Sequence, residues 1–127
     1  MARVLALTGD LLFGSRVQGA LAAAGHEVEL VGSAADLGQR LRAEAGESSG
    51  RAQLLVVDLV DGELDGAGAV ESLRAAGELD GVRTLGFYSH VDAAARERAE
   101  RAGFDLAVPR SRMAREGGEL VARLLAP

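Results

Sequence analysis

The sequence predicts an α/β fold in which a parallel sheet of five strands lies between layers of helix. Three observations lead to that class. Short apolar runs alternate along the whole chain with longer segments whose apolar residues recur at helical spacing. The most apolar run, QLLVV, has no polar alternation, as a strand covered on both faces requires. The length, 127 residues at 48% hydrophobic content, fits one domain spanning 1–127 and leaves no room for a second.

The elements follow in order. Arg3 to Leu7 (RVLAL) reads as a buried strand. Phe13, Val17, Ala20, Leu21 and Ala24 then share one helical face, and Gly25 can end that helix. Glu27 to Val31 (EVELV) is a second strand, followed by a helix with Ala34, Leu37 and Leu41 inward and Ser33 as its N-cap. EAGESSGR, from Glu44 to Arg51, has the composition of an exposed loop. Gln53 to Val57 is the third strand; an acid- and glycine-rich loop leads to a helix over Ala69 to Ala76. A fourth strand, Val82 to Tyr88, precedes a helix from Asp92 to Ala102, and a short strand, Asp105 to Val108, precedes a last helix from Arg112 to Leu125. In that last helix Met113, Leu120, Val121 and Leu124 point inward, and Gly117 and Gly118 weaken it by about 1 kcal/mol each relative to alanine.

Composition excludes several chemistries. The chain has no lysine; all 14 basic residues are arginine, against 19 acids, a pattern that matches codon bias in a GC-rich genome. A Schiff-base enzyme and a Walker-type phosphate loop both need the missing ammonium. The absence of cysteine removes disulfides, zinc thiolate sites and thiol nucleophiles. A net charge of −5 argues against nucleic-acid binding, which depends on cations placed against phosphates. No apolar run approaches the roughly 20 residues of a spanning helix, and Asp10 interrupts the start before a signal-peptide core forms. A cytoplasmic protein without nucleic-acid or membrane partners is expected.

In folds of this class sites form at the carboxyl ends of the strands. After the third strand the sequence reads DLVDGELDG, with Asp58 first and Asp65 and Gly66 last. This resembles the receiver domains of bacterial response regulators, in which a phospho-accepting aspartate ends the third strand and a loop of the form D-L-x-x-P-x-M-D-G follows. Asp58, Leu59, Asp65 and Gly66 keep the family spacing, Leu64 stands for the usual methionine, and Gly62 replaces the proline. The order of βα units extends the resemblance over essentially the whole chain. It implies a three-layer, doubly wound, flavodoxin-like (β/α)5 fold with strand order 2-1-3-4-5.

The resemblance also implies a set of site positions, and several of them are altered. Two adjacent acids after the first strand normally hold Mg²⁺ together with the phospho-accepting aspartate; here Thr8 and Gly9 occupy those positions, and Asp10 is the nearest acid. A metal site of Asp10 and Asp58 therefore requires Asp10 to reach back. The hydroxyl position at the end of the fourth strand falls on Tyr88, or on Ser89 after a one-residue shift. The lysine of the fifth strand's end is replaced by Arg110, which follows Pro109 and stands where it can pair with Asp58; the aromatic switch position falls on Ala107. An arginine's planar fork is not equivalent to a compact ammonium. Attack by a carboxylate on phosphorus needs the charge on the phosphoryl oxygens neutralised, and most groups that supply this are replaced.

Other candidates carry weaker signals. Gly9 and Gly14 in TGDLLFGSR resemble a phosphate-binding turn, with Arg16 nearby, but lack GxGxxG spacing. His90 reads as a loop hydrogen-bonder, and His26 has no assigned role. Arg96, Arg98 and Arg101 lie on the fourth helix over a seam of alanines; mixed charge of this kind marks a solvated face, but in receivers the fourth helix, fifth strand and fifth helix form the partner and dimer surface. The expected function is non-enzymatic signal transduction by a stand-alone pseudo-receiver through protein contacts, without a cofactor. The alternative is a working receiver, phosphorylated on Asp58 by a histidine kinase with Mg²⁺ bound. A small-ligand or nucleotide binder is the remote third.

Overall fold

A computed structural model describes residues 2–45, 50–89 and 91–126. The strands are β1 (Arg3–Leu7), β2 (Glu27–Val31), β3 (Leu54–Asp58), β4 (Arg83–Tyr88) and β5 (Leu106–Pro109). The helices are α1 (Leu11–Ala23), α2 (Ala34–Ala45), α3 (Gly66–Ala75), α4 (Ala93–Ala102) and α5 (Arg110–Leu125). All neighbouring strands pair in parallel, in the order β2-β1-β3-β4-β5. The sheet is therefore the doubly wound one expected, with β3 at its centre.

Alternation along each strand divides the core into two layers. Val4, Ala6, Leu54, Val56, Leu85, Phe87 and Val108 face α1 and α5, meeting Phe13, Val17, Leu21, Met113 and Leu120. Leu5, Leu7, Leu55 and Val57 face the other way, onto Leu37 and Leu41 of α2 and Val70 and Leu73 of α3. Every residue of β3 is buried, because each of its faces is roofed by helices.

Helix ends follow local chemistry. Asp10 caps α1 by accepting from the Phe13 N–H at 3.0 Å. Gly25, at φ 95°, turns the chain after it as its sequence position suggested. Ser33 caps α2, accepting from the Asp36 N–H. Two starts come earlier than expected. Helix α3 begins at Gly66 rather than Ala69, because Asp65 adopts φ 44° and its carboxylate accepts from the Gly68 N–H. Helix α5 begins at Arg110, directly after β5, rather than at Arg112. Ala20, Ala24 and Ala34, expected on inner faces, are exposed; Phe13, Val17, Leu21, Leu37 and Leu41 already fill those interfaces.

At the amino end of the sheet Arg3 holds the β2 side together. Its guanidinium pairs with Glu44 through both carboxylate oxygens and with Glu27 and Glu29. The Arg3 side chain is 14% exposed and that of Glu44 6%, so this is a largely buried ion cluster. Glu44, expected in a loop, lies instead in the last turn of α2; 46–49 of that loop lie outside the described residues.

Candidate functional site at the carboxyl end of the sheet

Parallel pairing sets the site. Leu7 lies opposite Val57, so the next residues along, Thr8 and Asp58, emerge side by side. The Thr8 N–H extends the ladder to the Val31 carbonyl at 3.0 Å and fixes that backbone. The Thr8 hydroxyl donates to Asp58 Oδ2 at 2.8 Å and accepts from the Asp10 N–H at 3.1 Å. Asp58 Oδ1 accepts from the N–H groups of Val60, at 2.8 Å, and Asp61, at 3.3 Å. Asp58 is 2% exposed and Thr8 5%. Both carboxylate oxygens of the buried aspartate are thus engaged by protein donors, as burial of a charge demands.

The neighbouring positions are also committed. A Cβ on Gly9 would lie 3.2 Å from Asp61 Oδ2, so the Asp61 carboxylate covers the space beside Gly9. Asp10 does not reach back to Asp58: its Oδ1 holds the first turn of α1 and its Oδ2 accepts from Arg110 at 3.3 Å. Arg110 in turn does not pair with Asp58; it binds Asp10 and lies 4.6 Å from the centroid of the Phe13 ring, a cation–π stack.

Tyr88 and Ser89 part company at the end of β4. Phe87 faces α1 and α5, so Tyr88, 7% exposed, points to the opposite layer. It shares that face with Gly86, where a Cβ would come 2.6 Å from Leu59 Cδ1 and 3.0 Å from the Phe104 ring. Ala107, paired with Gly86, lies on the same side. Ser89 lines a cavity of about 390 Å³ with Phe13, Arg16 and Arg110. His90 lies outside the described residues. Gly14 is not part of a turn: it is buried within α1, where a Cβ would come 3.0 Å from Thr8 Cγ2.

On α4, Arg98 pairs with Glu71 of α3, an interaction that raises the pKa of Arg98 and lowers that of Glu71. Arg96 pairs with Glu100 along the helix. Arg101 is exposed.

The chain matches no protein-family model and no curated protein. Solved structures resemble it closely in shape. The chemotaxis response regulator CheY4 of Vibrio cholerae superposes with a TM-score of 0.81 at 17% identity, covering 98% of this chain and 99% of that one. This is the receiver fold. The phosphorylated cyanobacterial phytochrome response regulator RcpA matches at 0.79 and 16% identity, covering 98% of this chain and 94% of that one. The BeF3-activated DrrB receiver domain matches at 0.78 and 14% identity over 98% and 97%. Identities this low establish the shared fold, and the side chains must speak for the chemistry.

Receiver folds prompt the question of Mg²⁺. That ion takes octahedral oxygen ligands, commonly one or two carboxylates with several waters. Here Asp58 spends both oxygens on protein donors, Asp10 is held by a helix cap and an arginine, and the Thr8 hydroxyl is used as donor and acceptor. Among the described residues no group of three or more His, Cys, Asp or Glu side chains is placed to hold a metal. The donor set does not fit a divalent cation. The participants hardest to foresee were Asp61 and Phe13; the repeated aspartate of DLVD, three residues apart, was the available signal for the turn that brings Asp61 over Gly9.

Proposed function

We propose that this protein is a receiver-fold signalling module that acts through protein contacts and does not use phosphorylation of Asp58. One observation carries the reading: the Asp58 carboxylate is latched by Thr8, Val60 and Asp61, so the group that would attack phosphorus instead fastens β1 to the loop after β3. Arg110 supports it, since its cation is spent on Asp10 and Phe13. Tyr88, buried at the end of β4, and Arg110, paired with Asp10, are then positions inherited from a phosphate pocket that hold structure, while Ser89 only lines the cavity beside them. Signal output is assigned to partner docking or self-association, with the face of α4, β5 and α5 as the surface the receiver resemblance implies. On α4, Arg101 is the arginine with most freedom to contribute, since Arg96 and Arg98 are paired within the chain.

The test is titration with Mg²⁺ and beryllium fluoride, a phosphoryl mimic, followed by amide shifts at Asp58 and Tyr88. No response at millimolar Mg²⁺ is expected. Saturable shifts that vanish in Asp58→Asn would overturn the reading in favour of a kinase-driven receiver.

A further inference from the structure

We propose that the Asp61–Gly62 peptide bond, at the tip of the loop between β3 and α3, is a site of spontaneous backbone isomerisation that converts Asp61 to isoaspartate through a cyclic imide. The inference is independent of whether Asp58 accepts a phosphoryl group.

The sequence holds three Asp–Gly pairs, Asp61–Gly62, Asp65–Gly66 and Asp80–Gly81. Glycine carries no Cβ to shield its amide nitrogen, so each pair has the composition this chemistry needs. At the first pair the Gly62 nitrogen bonds to Asp61 Cγ, and its proton leaves with one carboxyl oxygen as water. Water then returns to one of the two imide carbonyls. Addition at Cγ restores aspartate; addition at the main-chain carbonyl leaves the chain running through Cβ and Cγ, with the former carbonyl as a free carboxylate. No oxidant, metal or enzyme enters the step.

Folding decides among the three pairs. The Asp65 carboxylate caps α3 on the Gly68 N–H, and its carbonyl accepts from the Ala69 N–H. A Cβ on Gly66 would collide with Val57, so close packing blocks rotation of that peptide onto the carboxylate. Asp80 and Gly81 are exposed, but their turn is pinned. The Val82 N–H donates to the Leu79 carbonyl at 3.0 Å, both of those residues are buried, and Arg51 donates to the Asp80 carbonyl at 2.7 Å. Asp61 and Gly62 lie instead in a run of four exposed residues, Val60 to Glu63, with open space where a Gly62 Cβ would stand. The Asp61 carboxylate already folds back along its own chain: Oδ1 accepts from the Glu63 N–H at 3.0 Å, an Asx turn that closes a ring around the Gly62 peptide. The carboxyl carbon thus sits beside the amide it must meet. Only that bond and one from the Leu64 N–H to the Asp61 carbonyl, at 3.2 Å, hold the loop tip against the last rotation.

Isomerisation re-threads the loop. The carbonyl that holds Leu64 becomes a carboxylate, and the main chain gains a carbon. The Asp61 N–H, 3.3 Å from Asp58 Oδ1, is the nearest part of the Asp58 latch to be disturbed. The new carboxylate is of the class that carboxyl methyltransferases modify: a methyl group passes from the sulfonium of S-adenosylmethionine to a carboxylate oxygen, and the ester loses methanol as the imide re-forms.

The experiment ages the full chain at neutral pH beside the same chain unfolded in guanidinium chloride. Cleavage after arginine places Asp61 in Ala52–Arg74 and Asp80 in Ala75–Arg83, and electron-transfer fragmentation separates isoaspartate at 61 from that at 65. Methyl incorporation by an isoaspartyl methyltransferase gives a second count. In the folded chain isoaspartate is expected at Asp61 several-fold faster than at Asp80, with none at Asp65, whereas the unfolded chain should react at all three at similar rates. Gly62→Ala adds a methyl into open space and should slow the reaction at Asp61 several-fold. Arg51→Gln should speed it at Asp80 alone. The proposal is overturned if the folded chain holds no isoaspartate at 61 once it predominates there in the unfolded chain. It is equally overturned if Asp65 or Asp80 reacts first, or if Gly62→Ala reacts as fast as the parent.

Discussion

Replacing Thr8 with valine removes a single hydroxyl from the Asp58 latch while keeping the branched shape of the side chain. That hydroxyl donates at 2.8 Å to a carboxylate only 2% exposed, and water has little access to replace it. A hydrogen bond to a charged group contributes roughly 1.5–3 kcal/mol net. The Asp10 N–H also loses its acceptor, but it is only partly buried, so solvent recovers most of that cost. Asp58 keeps two backbone donors, which limits the damage. The expected loss is about 2 kcal/mol, a fall in Tm of roughly 6–10 °C for a chain this size. Thr8→Ser keeps the hydroxyl and loses the methyl that faces Gly14, at a cost near 1 kcal/mol. Urea denaturation of the three proteins should rank wild type above serine above valine. A valine variant as stable as the serine variant, or within about 0.5 kcal/mol of wild type, refutes the latch, since changes of that size are what unconnected surface positions show.

Three further outcomes follow from the packing and the charges. Gly66→Ala should destabilise by about 1–3 kcal/mol, because its Cβ would collide with Val57 Cγ1 and lie 2.9 Å from the Asp58 carbonyl oxygen; an unchanged chemical-denaturation midpoint would contradict that close approach. Arg3→Met leaves Glu44 buried without its cation and should cost about 3–5 kcal/mol, while Arg3→Met combined with Glu44→Met should regain most of it, as a double-mutant cycle in urea would report. Burial pushes the Glu29 carboxyl up, but hydrogen bonds from Arg40 and Arg3 outweigh it and hold it below the usual 4.5. Its contribution to stability is therefore full above pH 4.5 and is lost as the pH falls through the depressed folded value. Arg40→Gln should flatten that acid limb in urea melts taken across this range.

The fold was legible because burial on two faces writes itself into a strand: LLVV admits no polar residue, and EVELV, half exposed at the sheet edge, does. Strand boundaries moved by a residue where the ladder continues past the apolar run, as Asp58 and Pro109 show. The helix starts at Gly66 and Arg110 were hidden because helix propensity speaks against glycine and says nothing of a left-handed Asp65. At the site, the place of Asp58 at the end of the third apolar run was legible in the sequence, whereas the missing acid pair had meaning only through the receiver resemblance. The partner of Arg110 was not legible, since Asp10 is 100 residues away and Asp58 was an equally reasonable target. Nor does periodicity reveal that Leu11 and Leu12 face solvent, because an apolar residue at a helix start reads the same whether it is roofed or bare.

The margins of the sheet have a consequence for assembly. An open strand edge invites any extended chain to add itself as a further strand, unless charge, brevity or proline discourages it. At one margin β2 carries Glu27 and Glu29, held by Arg3 and Arg40, so an incoming backbone would meet a row of neutralised but hydrated carboxylates. At the other, β5 spans only four residues and ends in Pro109, which has no N–H to offer. Neither border supplies a long, flat template. Concentrated solutions of this protein should therefore resist growth into cross-strand aggregates, and its encounters with other chains are left to side chains.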